Sequence, residues 1–195
     1  ELPKGREPIT TWVVPPTKRD GAYIWIEKRL KEGDQAFIVC PLIEESESES
    51  LKSVKSAKAE FEILKKIFAH RSLGLLHGKQ KAKEKSEILN QFKDGTIDIL
   101  VTTPVVEVGI DIPNASIMMI EASERFGLAQ LHQLRGRVGR GTLASYCLLM
   151  TTTKGAAKAR LEAMTKTLSG RELAEFDLSL RGPGEIFGTK QSGIT

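Results

Sequence analysis

No Gly-x-x-x-x-Gly-Lys-Ser/Thr loop occurs anywhere in the chain, so a phosphate cradle for a nucleotide triphosphate is missing. No Asp-Glu pair stands at a strand end to hold magnesium. Glu44-Glu45 does follow a strand-like run, but it opens the serine-glutamate stretch Glu44 to Ser50 and has no partner. The glycines of Gly136 to Gly141 have the wrong spacing for a dinucleotide fingerprint and lie in a helix-like stretch, which argues against a dinucleotide-dependent enzyme. His70, His77 and His132 are too scattered for a metal set, and no Ser/His/Asp or Cys/His arrangement suggests nucleophilic catalysis. Cys40 and Cys147 lie in apolar runs far apart and read as buried thiols in a reducing compartment. No apolar run approaches the roughly 18 residues of a membrane-spanning helix, and no signal-peptide pattern is present. A soluble cytoplasmic protein is expected. The first residue is Glu1 rather than Met, and a piece of a longer protein is expected.

What is present suits one α/β core with a small appendage: 195 residues, 40% hydrophobic and 28% charged. Lys+Arg 29 against Asp+Glu 25 leaves +4, which permits nucleic-acid binding without arguing for it. Residues 1–8 read as linker. Strand-like runs at Ile9 to Val14, Gln35 to Pro41, Leu73 to Leu76, Ile97 to Val101, Ser116 to Ile120 and Ala144 to Met150 alternate with helical patterns. Those patterns cover Thr17 to Lys31, Ser53 to Ala69, Lys81 to Phe92 and Gly127 to Gly139. The alternation predicts a doubly wound parallel sheet with helices on both faces. Ligands of such sheets gather at the carboxyl ends of the strands, where Thr102, Thr103 and the loop to Asp111 are expected. Lys79, Lys81, Lys83 and Lys85 crowd a helix start against its dipole, which suits either an anionic neighbour or a solvated lysine face. From Lys154 two short helical patterns and a glycine-rich tail cannot extend the sheet, so residues 153–195 are expected to form an appended hairpin and tail.

The most informative stretch is Gln130 to Gly141, Q-L-H-Q-L-R-G-R-V-G-R-G. On a helix Gln133, Arg137 and Arg140 share one face, while Leu131, Leu134 and Val138 fall opposite. Two arginines on an anchored helix suit a polyphosphate, because the planar guanidinium grips phosphate oxygens through paired bonds. Spacing alone serves a solvated amphipathic helix equally well. The glycines weaken a helix by roughly 1 kcal/mol each, which points to close backbone approach. Phosphoryl transfer can divide its labour, one domain holding triphosphate and magnesium while another supplies arginine fingers. Arg137 and Arg140 fit the second part. Asp111, after Gly109, suits a ribose hydroxyl; Thr103 and His77-Gly78 suit a nucleic-acid backbone.

Thr102 to Asp111 (T-T-P-V-V-E-V-G-I-D) resembles motif V, and Gln133 to Arg140 (Q-L-R-G-R-V-G-R) resembles motif VI, of superfamily 2 helicases. The longer run Glu124 to Gly141 is similar to RecG branch-migrating helicases and transcription-repair coupling factors. The tail Asp177 to Gly193 (D-L-S-L-R-G-P-G-E-I-F-G-T-K-Q-S-G) resembles the translocation motif the two share, and is closer to RecG.

The resemblance implies a RecA-like α/β domain, the second motor domain of an ATP-dependent helicase, at 9–152. A coupling hairpin and tail would follow. In such a protein Arg137 and Arg140 are the arginine fingers with Gln133 beside them, and Gly109 and Asp111 belong to the nucleotide contact. Arg160, Arg181 and Gln191 couple hydrolysis to movement, and His77, Gly78, Thr102 and Thr103, picked out above by their chemistry at the strand ends, are the expected DNA contacts. ATP with Mg2+ would be held mainly by a first motor domain that this chain lacks, and no resident metal is expected. The implied partners are branched double-stranded DNA (stalled forks, Holliday junctions), a wedge domain and that first motor domain, in a monomer at the bacterial nucleoid. The chain alone is expected to be inactive. The alternatives are the motor of a transcription-repair coupling factor and a non-catalytic DNA- or protein-binding module that kept the fold.

Overall fold

The computed structural model describes residues 9–43, 50–104, 112, 114–139, 143–152 and 157–166. The expected linker 1–8, the serine-glutamate stretch from Glu44, Gly109, Asp111, Arg140, the second of the two helical patterns expected after Lys154, Arg181 and Gln191 lie outside them. β1 (Thr10–Val14) is β-branched and aromatic, and Pro15-Pro16 ends it. A 3-10 turn at Pro16–Lys18 leads into α1 (Arg19–Lys31), which buries Tyr23, Ile26 and Leu30 at helical spacing. β2 (Gln35–Val39) is buried at every position. α2 (Leu51–Ile67) starts at Ser50, whose side chain accepts from Ser53 N at 3.1 Å and satisfies one open amide of the first turn. β3 (Leu73–Leu76) and α3 (Ala82–Lys93) follow. Asp94 then turns the chain by accepting from Thr96 N at 2.9 Å and Thr96 Oγ1 at 2.6 Å. β4 (Ile99–Thr102), β5 (Ala115–Ile120), α4 (Leu128–Arg135), β6 (Tyr146–Met150) and α5 (Ala157–Thr165) complete the described chain.

The strands form one sheet in the order β1-β6-β5-β2-β4-β3, and every neighbouring pair is parallel. Residue alternation sends each strand's side chains to two separate cores. Phe37 and Val39 of β2 join Leu100, Met118, Ile120 and Leu149 under α3, α4 and α5. Ala36 and Ile38 join Ile99, Val101, Ile117, Met119 and Leu148 under α1 and α2. The doubly wound sheet expected from the sequence is therefore what the chain builds. α5 is tied closely to it: Leu161, Ala163 and Met164 are buried in the first core, against β1 and α4. Among the described residues no helix is long and apolar enough to cross a membrane.

One expected element is shorter. The helix predicted over Gly127 to Gly139 ends at Arg135, and Gly136 caps it. Arg137 and Val138 lie beyond it in a tight turn, and Gly139 has φ +79°. Gln133 and Arg137 therefore do not share the face of one continuous helix. Glycine's low helix propensity, taken twice in four residues, outweighs the apolar repeat. The burial side of the expectation holds, since Leu131, Leu134 and Val138 are at most 2% exposed.

Candidate functional site

Two places in the fold hold the singled-out residues. The first is the turn after α4. Leu128, Leu131 and Leu134 root the helix in the core, and Gln133 is exposed on its outer side. Arg137 is half-buried two residues past the helix end. The turn is held against the amino end of β1: a Cβ on Gly139 would sit 3.0 Å from Ile9 Cγ1 and 3.1 Å from Ile9 Cδ1. The close approach inferred for these glycines is thus made at Gly139, where the positive φ also disfavours any side chain.

Beneath this turn lies a residue the sequence reading passed over. Arg135 is 6% exposed. Its guanidinium donates to Met164 O at 2.6 Å and Thr11 Oγ1 at 3.2 Å, and meets His132 Nδ1 at 3.2 Å. Arginine has no acceptor, so Nδ1 of His132 accepts and the imidazole is neutral. Burial, and then the nearby Arg135 charge, lower the His132 pKa, in keeping with that state. Burial also lowers the Arg135 pKa, while its bonds to α5 and β1 satisfy donors that would otherwise be stranded. One side chain therefore joins α4, β1 and α5. Arg160 of α5 makes a second tie, donating to Glu124 O at 3.3 Å and to Phe126 O, just before α4 begins. Glu124 in turn accepts from Thr152 N at 3.0 Å and from the Thr152 hydroxyl.

The second place is the carboxyl edge of the sheet. Thr102 ends β4, Thr103 follows it, and both are fully buried. Thr102 Oγ1 donates to Thr103 O at 3.0 Å, whereas Thr103 Oγ1 finds no partner among the described residues. His77 closes β3 and is 6% exposed; its Nδ1 accepts from Lys79 N at 3.2 Å, so it shapes its own turn. Gly78 beside it is exposed. At the end of β5, Glu121 accepts a paired grip from Arg19 at 2.8 and 2.9 Å, and Arg19 also donates to Tyr23 Oη at 2.8 Å. The bond to Glu121 is the main reason the Arg19 pKa is driven up. Burial, with the Glu121 charge next, raises the pKa of Glu60 on α2. Tyr23 goes up chiefly by burial, as does Cys40, which also feels Glu60 and Glu121.

The structure thus brings His77, Gly78, Thr102 and Thr103 to one edge and sets Arg137 apart, beside the amino end of β1. For ATP, the described residues offer guanidinium charge and no phosphate-cradling loop, so they fit the outer-phosphate side of a nucleotide site and not the whole of it. No group of three or more metal-ligating side chains lies among the described residues, so they do not fit a Mg2+ ion of their own. The Arg19–Glu121 pair and Arg135 had no sequence signal: each joins positions far apart in the chain, and a lone arginine reads as surface charge.

Comparison with known proteins follows the same lines. The family described as helicase conserved C-terminal domain matches residues 22–142. Over its whole length the chain is 50% identical to the ATP-dependent DNA helicase RecG of Synechocystis sp., covering 23% of that protein. It is 48% identical to RecG of Thermotoga maritima, covering 25%, and 47% identical to RecG of Staphylococcus aureus, covering 28%. The chain thus spans about a quarter of the length of these curated relatives. A solved structure of RecG bound to a three-way DNA junction superposes with TM-score 0.77 at 45% identity, over 95% of this chain and 24% of that one. Dbp5 of S. cerevisiae, bound to RNA and ADP BeF3, superposes with TM-score 0.57 at 16% identity, over 93% of this chain and 48% of that one, a likeness of fold alone. The sheet is the RecA-like one of helicase domains.

Proposed function

Since the chain belongs to the helicase conserved C-terminal domain family, we propose that it is the second motor domain and coupling segment of a RecG-type, ATP-dependent DNA helicase. The full protein would remodel branched double-stranded DNA. The observation that carries this reading is the build of the motif VI turn. Arg137 sits in a turn that packs closely on Ile9, ahead of β1, at Gly139, just past the Arg135 side chain that bonds β1 and α5.

In this reading residues 9–152 are the motor domain, and 153–195 hold the hairpin and tail. ATP supplies the phosphoryl group that is transferred to water; a preceding motor domain holds its phosphates and its Mg2+. Arg137 and Arg140 meet the outer phosphate when the two domains close, and Gln133 lies alongside on α4. A guanidinium at that position stabilises the spreading negative charge and contributes about 10³-fold or more in rate. Gly109 and Asp111 hold the ribose side. The carboxyl edge, with His77, Gly78, Thr102 and Thr103, faces DNA. Because α5 is bonded to α4 and to the segment before it, domain closure at the turn moves α5, and with it the tail bearing Arg181 and Gln191. Arg160 is part of that linkage.

The test is junction-stimulated ATPase in the full-length protein. Arg137→Ala and Arg140→Ala should each lower kcat by about 10³-fold while junction affinity changes less than about twofold. This chain alone should not turn over ATP. Retained turnover in either variant, or hydrolysis by the isolated chain, overturns the reading.

A further inference from the structure

The strand β3 ends the sheet order, with β4 along one side and no strand along the other among the described residues. Thr103 N donates to Leu76 O, and Ile99 N to Ser72 O, so residues 72, 74 and 76 spend their backbone groups on β4. By strand alternation Leu73 and Leu75 turn theirs outward. Gln80 Nε2 covers one of these, Leu75 O, at 2.8 Å. Among the described residues the Leu73 N–H and C=O and the Leu75 N–H are left along an open edge. That edge is not flush with the surface. It lies at the bottom of a groove of about 720 Å³ between α2 and α3, walled by Phe61, Ile88 and Ile97. Lys58, Lys79 and Lys81 rim it, and Glu84 is the single acidic side chain in its lining.

An edge with open donors and acceptors in a groove of mixed lining, apolar at Phe61 and Ile88 and polar at Gln80 and Gln91, is a template for one more strand. The five residues from Ser72 to Leu76 span roughly 16 Å, enough for an extended segment of about five residues. Three lysines against one glutamate select its charge. We propose that this groove binds an extended acidic peptide of a partner protein by strand addition to β3, with its apolar side chains on the α2 face, over Phe61, and its acidic ones on the α3 face, towards Lys81, while Lys58 adds to the positive rim. Nucleic acid suits the groove less well, because the outward Leu73 and Leu75 amides call for a partner that both donates and accepts along its backbone. No residue in it touches the α4 turn, but His77 lines this groove as well as the carboxyl edge, so the trinucleotide arm of the test separates the peptide site from the DNA-facing role proposed for that edge.

The experiment is fluorescence anisotropy with the full-length protein and a labelled peptide, acetyl-Glu-Val-Glu-Ile-Glu-Val-amide. Two controls accompany it: the same peptide N-methylated at alternate residues, which keeps the charge but removes one row of donors, and a trinucleotide of thymidine with similar charge. The plain peptide should bind at low salt, and the methylated one at least tenfold more weakly. The Lys58→Glu/Lys81→Glu variant should also weaken binding at least tenfold, with its circular dichroism and thermal midpoint unchanged. Leu75→Pro, which removes an outward donor from an edge strand, should abolish the difference between the two peptides. Equal binding of both peptides, stronger binding of the trinucleotide, or no binding of the plain peptide overturns the proposal.

Discussion

Replacing Gly139 by alanine tests the link between backbone geometry and the motif VI turn. At φ +79° an L-residue loses roughly 1–2 kcal/mol against its preferred backbone. The new methyl carbon would also stand 3.0–3.1 Å from two carbons of Ile9. Ile9 is partly buried against the core and must shift by a few tenths of an ångström, so overpacking adds about 1 kcal/mol, the low end of its usual range. Alanine stiffens the unfolded chain and returns about 0.4–1 kcal/mol. The net loss is about 1–2.5 kcal/mol. Equilibrium urea unfolding reads it directly: with a slope of roughly 2–3 kcal/mol/M, the midpoint should fall by roughly 0.3–1.2 M at unchanged slope. Gly21→Ala is the matched control. Gly21 lies in the first turn of α1, at ordinary φ, with nothing within 4 Å of an added methyl. There alanine should raise the midpoint by about 0.3–0.5 M through helix propensity alone. A midpoint for Gly139→Ala at or above the parent's would refute the geometric argument.

Two further outcomes follow from the acidic and thiol groups. Glu60 has a carboxyl pKa raised in the fold by burial first and by Glu121 second. The folded state therefore takes up its proton more readily, and the associated stability is present at low pH and lost as pH rises through the folded value. Glu60→Gln should raise the thermal midpoint at about pH 7.5 and leave it unchanged near pH 4, as scanning calorimetry would show; an equal gain at both would contradict the assignment. Cys147 is pushed up to about 12 by burial, and Cys40 is buried and raised as well. Ellman's reagent at pH 8 should find no fast-reacting thiol in the folded chain and both thiols in urea, and a rapid native phase would show that one of the cores is open.

The sheet was legible because its strands are continuous apolar runs bounded by Pro, Gly and Asp signals, as at Gln35–Val39 and Leu73–Leu76. The helices were legible where a cap and a repeat agree, as in α2 with Ser50 ahead of Val54, Ala57 and Leu64. The α4 end was misjudged because Val138 continues the apolar repeat after the backbone has left the helix. Burial and helicity are separate properties, and periodicity reports only the first. Pairs such as Arg19–Glu121, 102 residues apart, depend on which strand lies beside which, and nothing local encodes that. Arg137 could be read from its motif, but not the buried Arg135 that holds its turn in place.

The parallel pairing of β1 with β6 has a mechanical consequence. Five register pairs, from Thr10 with Tyr146 to Val14 with Met150, join the first described strand to the last. A pull on β1 along its own axis loads this whole ladder in shear, so its hydrogen bonds share the force and yield together rather than peeling one by one. The same strand carries the Thr11 contact to Arg135 and packs against α5. In a machine that works by drawing domains past one another, β1 would act as a stiff tether, passing tension to the arginine turn with little stretch of its own.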